Sequence, residues 1–76
     1  MTKSYLVVTK VSDLCLGDKF AGWSLELMYG DHQQTKPASR ILDIKQKNDT
    51  YQLVLQDGDK VYPLHANQMV VTEVLA

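Results

Sequence analysis

The dipeptide Asp57-Gly58 constrains the fold of this chain more than any other feature of the sequence. It lies between the segment 51–56, in which apolar and polar residues alternate, and the largely alternating segment 59–65. Asp-Gly between two such segments is the typical loop of a two-residue type I′ β-hairpin. The sequence therefore predicts an antiparallel hairpin whose loop is Asp57-Gly58.

A two-residue loop also fixes which residues of the hairpin face each other. Gln56 then opposes Asp59, and Leu53 opposes Tyr62. Residues on the same side of an antiparallel pair form one face. Pro63 falls on the other face, which predicts an edge position or the end of strand pairing there. The register predicts a core face made of Tyr51, Leu53, Leu55, Tyr62 and Leu64.

Three further strands are indicated by β-branched, aromatic or alternating segments, at 5–11, 40–45 and 69–75. In the last of these both faces are largely apolar, which predicts burial on both sides or contact of one face with a partner. Turns are predicted where breaker residues cluster, at 12–18, 46–50 and 65–68, with a short helical turn as an alternative in the first of them.

Segments 23–29 and 30–39 are the least clear parts of the chain. Segment 23–29 alternates between apolar and polar residues, which favours a strand, although its Leu, Glu and Met also suit a short helix. The flanking Gly22 and Gly30 limit such a helix to about two turns, so we expect a strand. Segment 30–39 is polar and rich in breakers, and it is predicted to be the longest loop.

These segments together predict one domain, spanning 1–76, of the all-β class: a small five- to six-stranded antiparallel barrel or sandwich with at most one short helical turn. The layout resembles that of SH3-like barrels, although the acidic-aromatic opening motif and paired tryptophans of peptide-binding SH3 domains are absent. The resemblance depends on the order of the segments: a Gly-Asp turn at 17–18, a long loop at 30–39, a tight hairpin at 57–58, a short turn at 65–68 and a last strand at 69–75.

Composition narrows the setting in which the domain works. Its 76 residues build only a thin core, and the formal net charge of −1 is spread evenly along the chain. A dedicated DNA-binding domain is usually basic, and this one is not. The single cysteine, Cys15, excludes an intrachain disulfide, and no apolar run is long enough for a signal peptide or a membrane span. We therefore expect a cytoplasmic protein that is not attached to a membrane.

Catalytic, metal and cofactor sites are not expected. The candidate metal ligands lack the close pair spacings of zinc sites; they are Cys15, Asp31, His32 and His65. Cys15 stands between two leucines, which favours a small buried hydrophobe over an activated nucleophile. The chain has no glycine-rich phosphate loop and little room for a closed pocket. The sequence thus predicts a protein that is not an enzyme and holds no cofactor.

Binding to another macromolecule is the remaining class of function. The main hypothesis is a regulatory or binding module that contacts another protein, with a homodimer through a strand edge as one form of this contact. Its candidate contact residues are Trp23, Met28, Tyr29 and Val71. The alternative is a small barrel that binds nucleic acid with a local basic patch. The candidate residues for that patch are Lys36, Arg40, Lys45 and Lys47.

Overall fold

The computed structural model describes residues 3–27 and 30–75, with the backbone alone at 25–27 and 31. It confirms the predicted all-β class. One short 3₁₀ helix, Val11–Asp13, follows the first strand, as the turn prediction for 12–18 allowed. The strands are β1 Ser4–Lys10, β2 Lys19–Leu27, β3 Gly30–Lys47, β4 Thr50–Leu55, β5 Lys60–His65 and β6 Met69–Leu75.

The six strands form one antiparallel sheet in the order β1-β6-β2-β3-β4-β5. The sheet does not close into a barrel, so β1 and β5 lie at its two ends. The 18-residue β3 pairs with β2 through its first part and with β4 through its second part. This long strand therefore joins two halves of the sheet, which share one core. Segment 69–75 is a strand as predicted, but it lies inside the sheet, between β1 and β2.

Segment 30–39 is part of strand β3, so its prediction as a loop is wrong. Its residues pair with β2 from Gly30 onward, and the polar side chains at 32–35 are exposed. Pro37 is tolerated because it lies in a bulge: three residues of β3, 36–38, stand opposite Ala21 alone. A bulge residue makes no regular ladder hydrogen bond, so the missing N–H of proline costs nothing there.

Gly22 permits an unusually close approach of β2 to β3 beside this bulge. Its φ is +137°, a backbone conformation that residues with a Cβ rarely adopt. A Cβ at this position would overlap the carbonyl oxygen of Gln34 and lie 2.7 Å from the Cα of Thr35. The tight pairing of the two strands therefore requires glycine.

The Asp57-Gly58 hairpin exists, but its loop has three residues rather than two. The Gly58 N–H donates to the Leu55 carbonyl at 3.0 Å, and the Leu55 N–H donates to the Asp59 carbonyl at 2.9 Å. Gly58 has a φ of +94°. This is the pattern of a turn followed by a glycine in a left-handed conformation, the next most common hairpin type.

The longer loop shifts the register of the hairpin by one residue. Leu53 faces Val61 instead of Tyr62, and a bulge at Tyr62 and Pro63 restores the predicted pairing of Tyr51 with Leu64. Val61 is therefore buried, and Tyr62 is 66% exposed, so the assignment of Tyr62 to the core is wrong. Pro63 lies in the end strand β5, as predicted.

The core draws side chains from both halves of the sheet and from the 3₁₀ helix. Phe20 is its largest fully buried member, and Trp23, Ile44 and Tyr51 pack against it from partly buried positions. Tyr51, Leu53, Leu55 and Leu64 lie on the core side as predicted. The buried cluster consists of Val11, Leu14, Phe20, Ile41, Leu53, Leu55, Val61, Leu64 and Val70.

Cys15 is exposed, which corrects its prediction as a buried hydrophobe. Only Leu14 of the apolar stretch enters the core, and Leu16 is exposed. The reason is local: the Cys15 N–H donates to the Asp18 carboxylate at 2.9 Å, which holds this stretch as a tight surface turn. Segment 23–29 is a strand as far as Leu27, and the helical alternative does not apply to that part.

Candidate functional site

The predicted protein-contact residues do not form one exposed surface. Trp23 is half-buried and packs edge-on against Phe20, with ring centroids 5.2 Å apart. Val71 is fully buried, on the interior strand β6, where it faces Val8 of β1 and Gly22 of β2. The predicted residues Met28 and Tyr29 lie outside the described residues.

An apolar surface is instead found at β1, the end strand. Leu6 is 48% exposed and Val8 42%, and both side chains share the face of the sheet that lies opposite the core. Tyr5, on the other face, is 52% exposed. We name this region the β1 edge surface; it consists of Tyr5, Leu6, Val8, Met69 and Leu75.

β1 carries fewer of the features that protect β5 and the second part of β3 from pairing with another chain. β5 carries Lys60 and a bulge at Pro63, and the second part of β3 carries Lys45 and Lys47. Charged residues, prolines and bulges are the usual means of blocking a sheet edge. β1 has a charge only at its last residue, Lys10, contains no proline, and pairs with β6 in continuous register. β1 is therefore open to strand addition.

Sequence reasoning missed the β1 edge surface because strand order cannot be read from one sequence. The apolar run Tyr5–Val8 is visible, but the same run suits an interior strand. These side chains are exposed because β1 pairs only with β6 and has no strand on its other side.

Lys36 belongs to an internal ion-pair cluster and not to an open basic patch. Its Nζ lies 3.3 Å from a carboxylate oxygen of Asp57 and 3.2 Å from one of Asp59. It also lies 5.9 Å from the centroid of the Phe20 ring. We name Lys36, Asp57 and Asp59 the Lys36 clasp; it joins the β3 bulge to the β4–β5 hairpin loop.

The electrostatics of the clasp follow from its hydrogen bonds. Burial lowers the pKa of Lys36, but the hydrogen bonds and charges of Asp59 and Asp57 outweigh burial, and the pKa is raised overall. The pKa of Asp57 is lowered, mainly because the backbone N–H of Asp59 donates to its carboxylate, with Lys36 adding to the effect. Lys36 is thus held by two carboxylates, which reduces its value for binding phosphate.

Lys45 and Lys47 are the two predicted basic residues that the structure brings together. They form one wall of an open groove of about 170 Å³, and Tyr62 and Pro63 contribute to the opposite wall. Arg40 is exposed but does not line this groove. The remaining lining residues are Thr50, Tyr51 and Gln52.

The described residues hold no group of three or more His, Cys, Asp or Glu side chains that is arranged to bind a metal ion. In the same part of the chain no helix has the length and apolar character needed to cross a membrane.

The described residues form a six-stranded antiparallel domain that has an open apolar edge at β1 and a groove lined by basic and aromatic side chains. Comparison with protein-family models, curated proteins and solved structures gives no significant match.

Proposed function

We propose that this chain is a non-enzymatic contact module that pairs with a second copy of itself through β1. The observation that carries the proposal is that β1 is an open edge with exposed apolar side chains on both faces, no proline or bulge, and a charge only at its last residue, Lys10. Such an edge is a template for strand addition.

The sequence of β1 suits antiparallel pairing with its own copy. With Val7 on the two-fold axis, Leu6 of one copy faces Val8 of the other, and Ser4 faces Lys10. Two cross-strand Leu–Val pairs then lie on the face opposite the core, and no lysine faces a lysine. This symmetry is the closed, isologous arrangement of most homodimers.

The expected affinity is modest because the interface is small. β1 supplies seven residues, and its apolar side chains are already about half buried in the monomer. Small interfaces of this kind bind weakly, so we expect a dissociation constant on the order of 10–100 µM. Such a value suits association that responds to protein concentration. We also propose a reducing, cytoplasmic setting, which the exposed thiol of Cys15 supports.

Sedimentation equilibrium over about 1–500 µM protein tests the proposal, since this range brackets the expected dissociation constant. Wild-type protein is expected to pass from monomer to dimer. Leu6→Lys is expected to shift the equilibrium to monomer, because it places a charge at the interface. Leu42→Lys is the matched control, because Leu42 on β3 is 54% exposed and lies away from β1.

A charge-swap experiment tests the register. In a homodimer, Leu6→Lys or Val8→Glu alone disrupts both Leu–Val pairs, but in a mixed dimer one Leu–Val pair remains and the new lysine faces the new glutamate. We expect each variant alone to be monomeric and the equimolar mixture to associate. Monomeric wild-type protein at every concentration, or equal effects of Leu6→Lys and Leu42→Lys, would contradict pairing through β1. A mixture that stays monomeric would overturn the register.

A further inference from the structure

We propose that the groove between β3 and β5 binds single-stranded nucleic acid, with a base stacked on Tyr62 and adjacent phosphates held by Lys45 and Lys47. The groove lies at the opposite end of the sheet from β1, so this second activity is independent of self-association.

Tyr62 is the first reason for this assignment. The one-residue shift of the hairpin register takes its ring out of the core and leaves it 66% exposed, and Val61 takes its place inside. The bulge that carries it also carries Pro63, so a tyrosine and a proline stand together at the groove. Bulges commonly redirect a side chain toward a site, and an exposed aromatic ring is a stacking platform for a base.

The two lysines are the second reason. Lys45 and Lys47 are two residues apart on β3, so their side chains point to the same face, about 7 Å apart along the strand. Neither forms an ion pair with a described residue. The described lining residues include no carboxylate; Asp43 shares the face of Lys45 two residues along β3, but neither it nor Asp49 lines the groove. The groove is therefore locally cationic within a chain of net charge −1.

The shape of the groove selects a single strand over other anionic partners. The groove is open and has a volume of about 170 Å³, so it admits a planar group and lets an extended chain pass through. Gln52 offers an amide to base edges, and the Thr50 hydroxyl, which donates to the Lys47 carbonyl at 2.9 Å, can still accept a hydrogen bond. Bases of a duplex are already stacked and cannot reach Tyr62. A phosphopeptide site would favour arginine forks, and Arg40 does not line the groove.

Fluorescence anisotropy with labelled dT12 and rU12, at about 25 mM and 150 mM salt, tests the proposal with the full chain. Two phosphate contacts predict a fall in affinity of about tenfold between the two salt concentrations. Tyr62→Ala is expected to weaken binding by about tenfold, the usual effect of losing one stacked base, while Tyr62→Phe retains it. A duplex of the same sequence is expected to bind more weakly than the single strand.

The double variant Lys45→Ala/Lys47→Ala is expected to lose at least tenfold in affinity at low salt. Its matched control is Lys3→Ala/Arg40→Ala, which removes the same charge at two exposed residues outside both the groove and β1. All of these side chains are exposed, so circular dichroism should report an unchanged fold. Absence of binding at low salt, equal losses in the two double variants, or wild-type affinity of Tyr62→Ala would overturn the proposal.

Discussion

Replacing Gly22 by alanine tests the closest backbone contact in the fold. The added Cβ meets the Gln34 carbonyl oxygen and the Cα of Thr35, which are both backbone atoms of β3. No side chain can rotate away to make room. The strands must separate at this point, and the residue must also tolerate a φ of +137°.

The cost has two parts that a control variant separates. The unfavourable backbone conformation costs about 1–3 kcal/mol. Loss of close strand pairing adds a further contribution, and we expect a total of about 3–5 kcal/mol. A domain of 76 residues has a total stability of about 4–11 kcal/mol, so Gly22→Ala should leave the protein marginally folded.

Urea unfolding followed by circular dichroism measures this difference. Gly58→Ala is the matched control, because Gly58 also has a positive φ, +94°, but a Cβ there would meet nothing within 4 Å. We expect the control to lose about 1–2 kcal/mol. Differences of up to about 1 kcal/mol are ordinary scatter between single mutations. If Gly22→Ala were less stable than Gly58→Ala by no more than this amount, the inferred contact with β3 would be refuted.

Three further predictions concern side chains whose placement the structure determines. Lys36→Met should destabilise the protein at neutral pH in thermal melts. The stability difference from wild type should shrink above pH 10.5, because Lys36, whose pKa is raised, then loses its proton. It should also shrink below pH 3.8, because Asp57, whose pKa is lowered, then gains a proton. A difference that is constant with pH would contradict the clasp. Leu53→Ala should cost about 2–5 kcal/mol in urea unfolding and Tyr62→Ala less than about 0.5, whereas equal losses would restore Tyr62 to the core. The Cys15 thiol should react completely with Ellman's reagent in the native protein, and reaction only in denaturant would show that it is buried.

The strand pattern was largely predictable because alternation and turn residues are local properties. The turns at 12–18, 46–50 and 65–68 lie where the sequence placed them, and the strands predicted at 5–11 and 69–75 correspond to β1 and β6, whereas β2 and β3 begin earlier than predicted. Two errors have one kind of cause. A hairpin loop of three residues instead of two moved Tyr62 to the surface, and a bulge allowed a polar, proline-containing segment to be a strand. An extra one or two residues in one strand of a pair changes the register but hardly changes the residue pattern, so it is hard to predict from sequence.

The candidate surfaces were harder to predict because they depend on strand order. Lys45 and Lys47 were identified from sequence, but their neighbour Tyr62 was assigned to the core, and Lys36 was not expected to face two aspartates. A valine such as Val71 suits an edge strand and an interior strand alike, so its residue type does not predict whether it is exposed. Only the placement of β6 between β1 and β2 shows that its side chain is buried.

Residue-resolved hydrogen exchange at low and high protein concentration tests self-association through β1 most directly. In the monomer, alternate backbone N–H groups of Ser4–Lys10 point away from β6 and have no partner strand. The proposal predicts that exchange at these amides slows as concentration rises through the dissociation constant, while exchange in the end strand β5, Lys60–His65, stays constant. Exchange in β1 that does not depend on concentration would contradict the proposal.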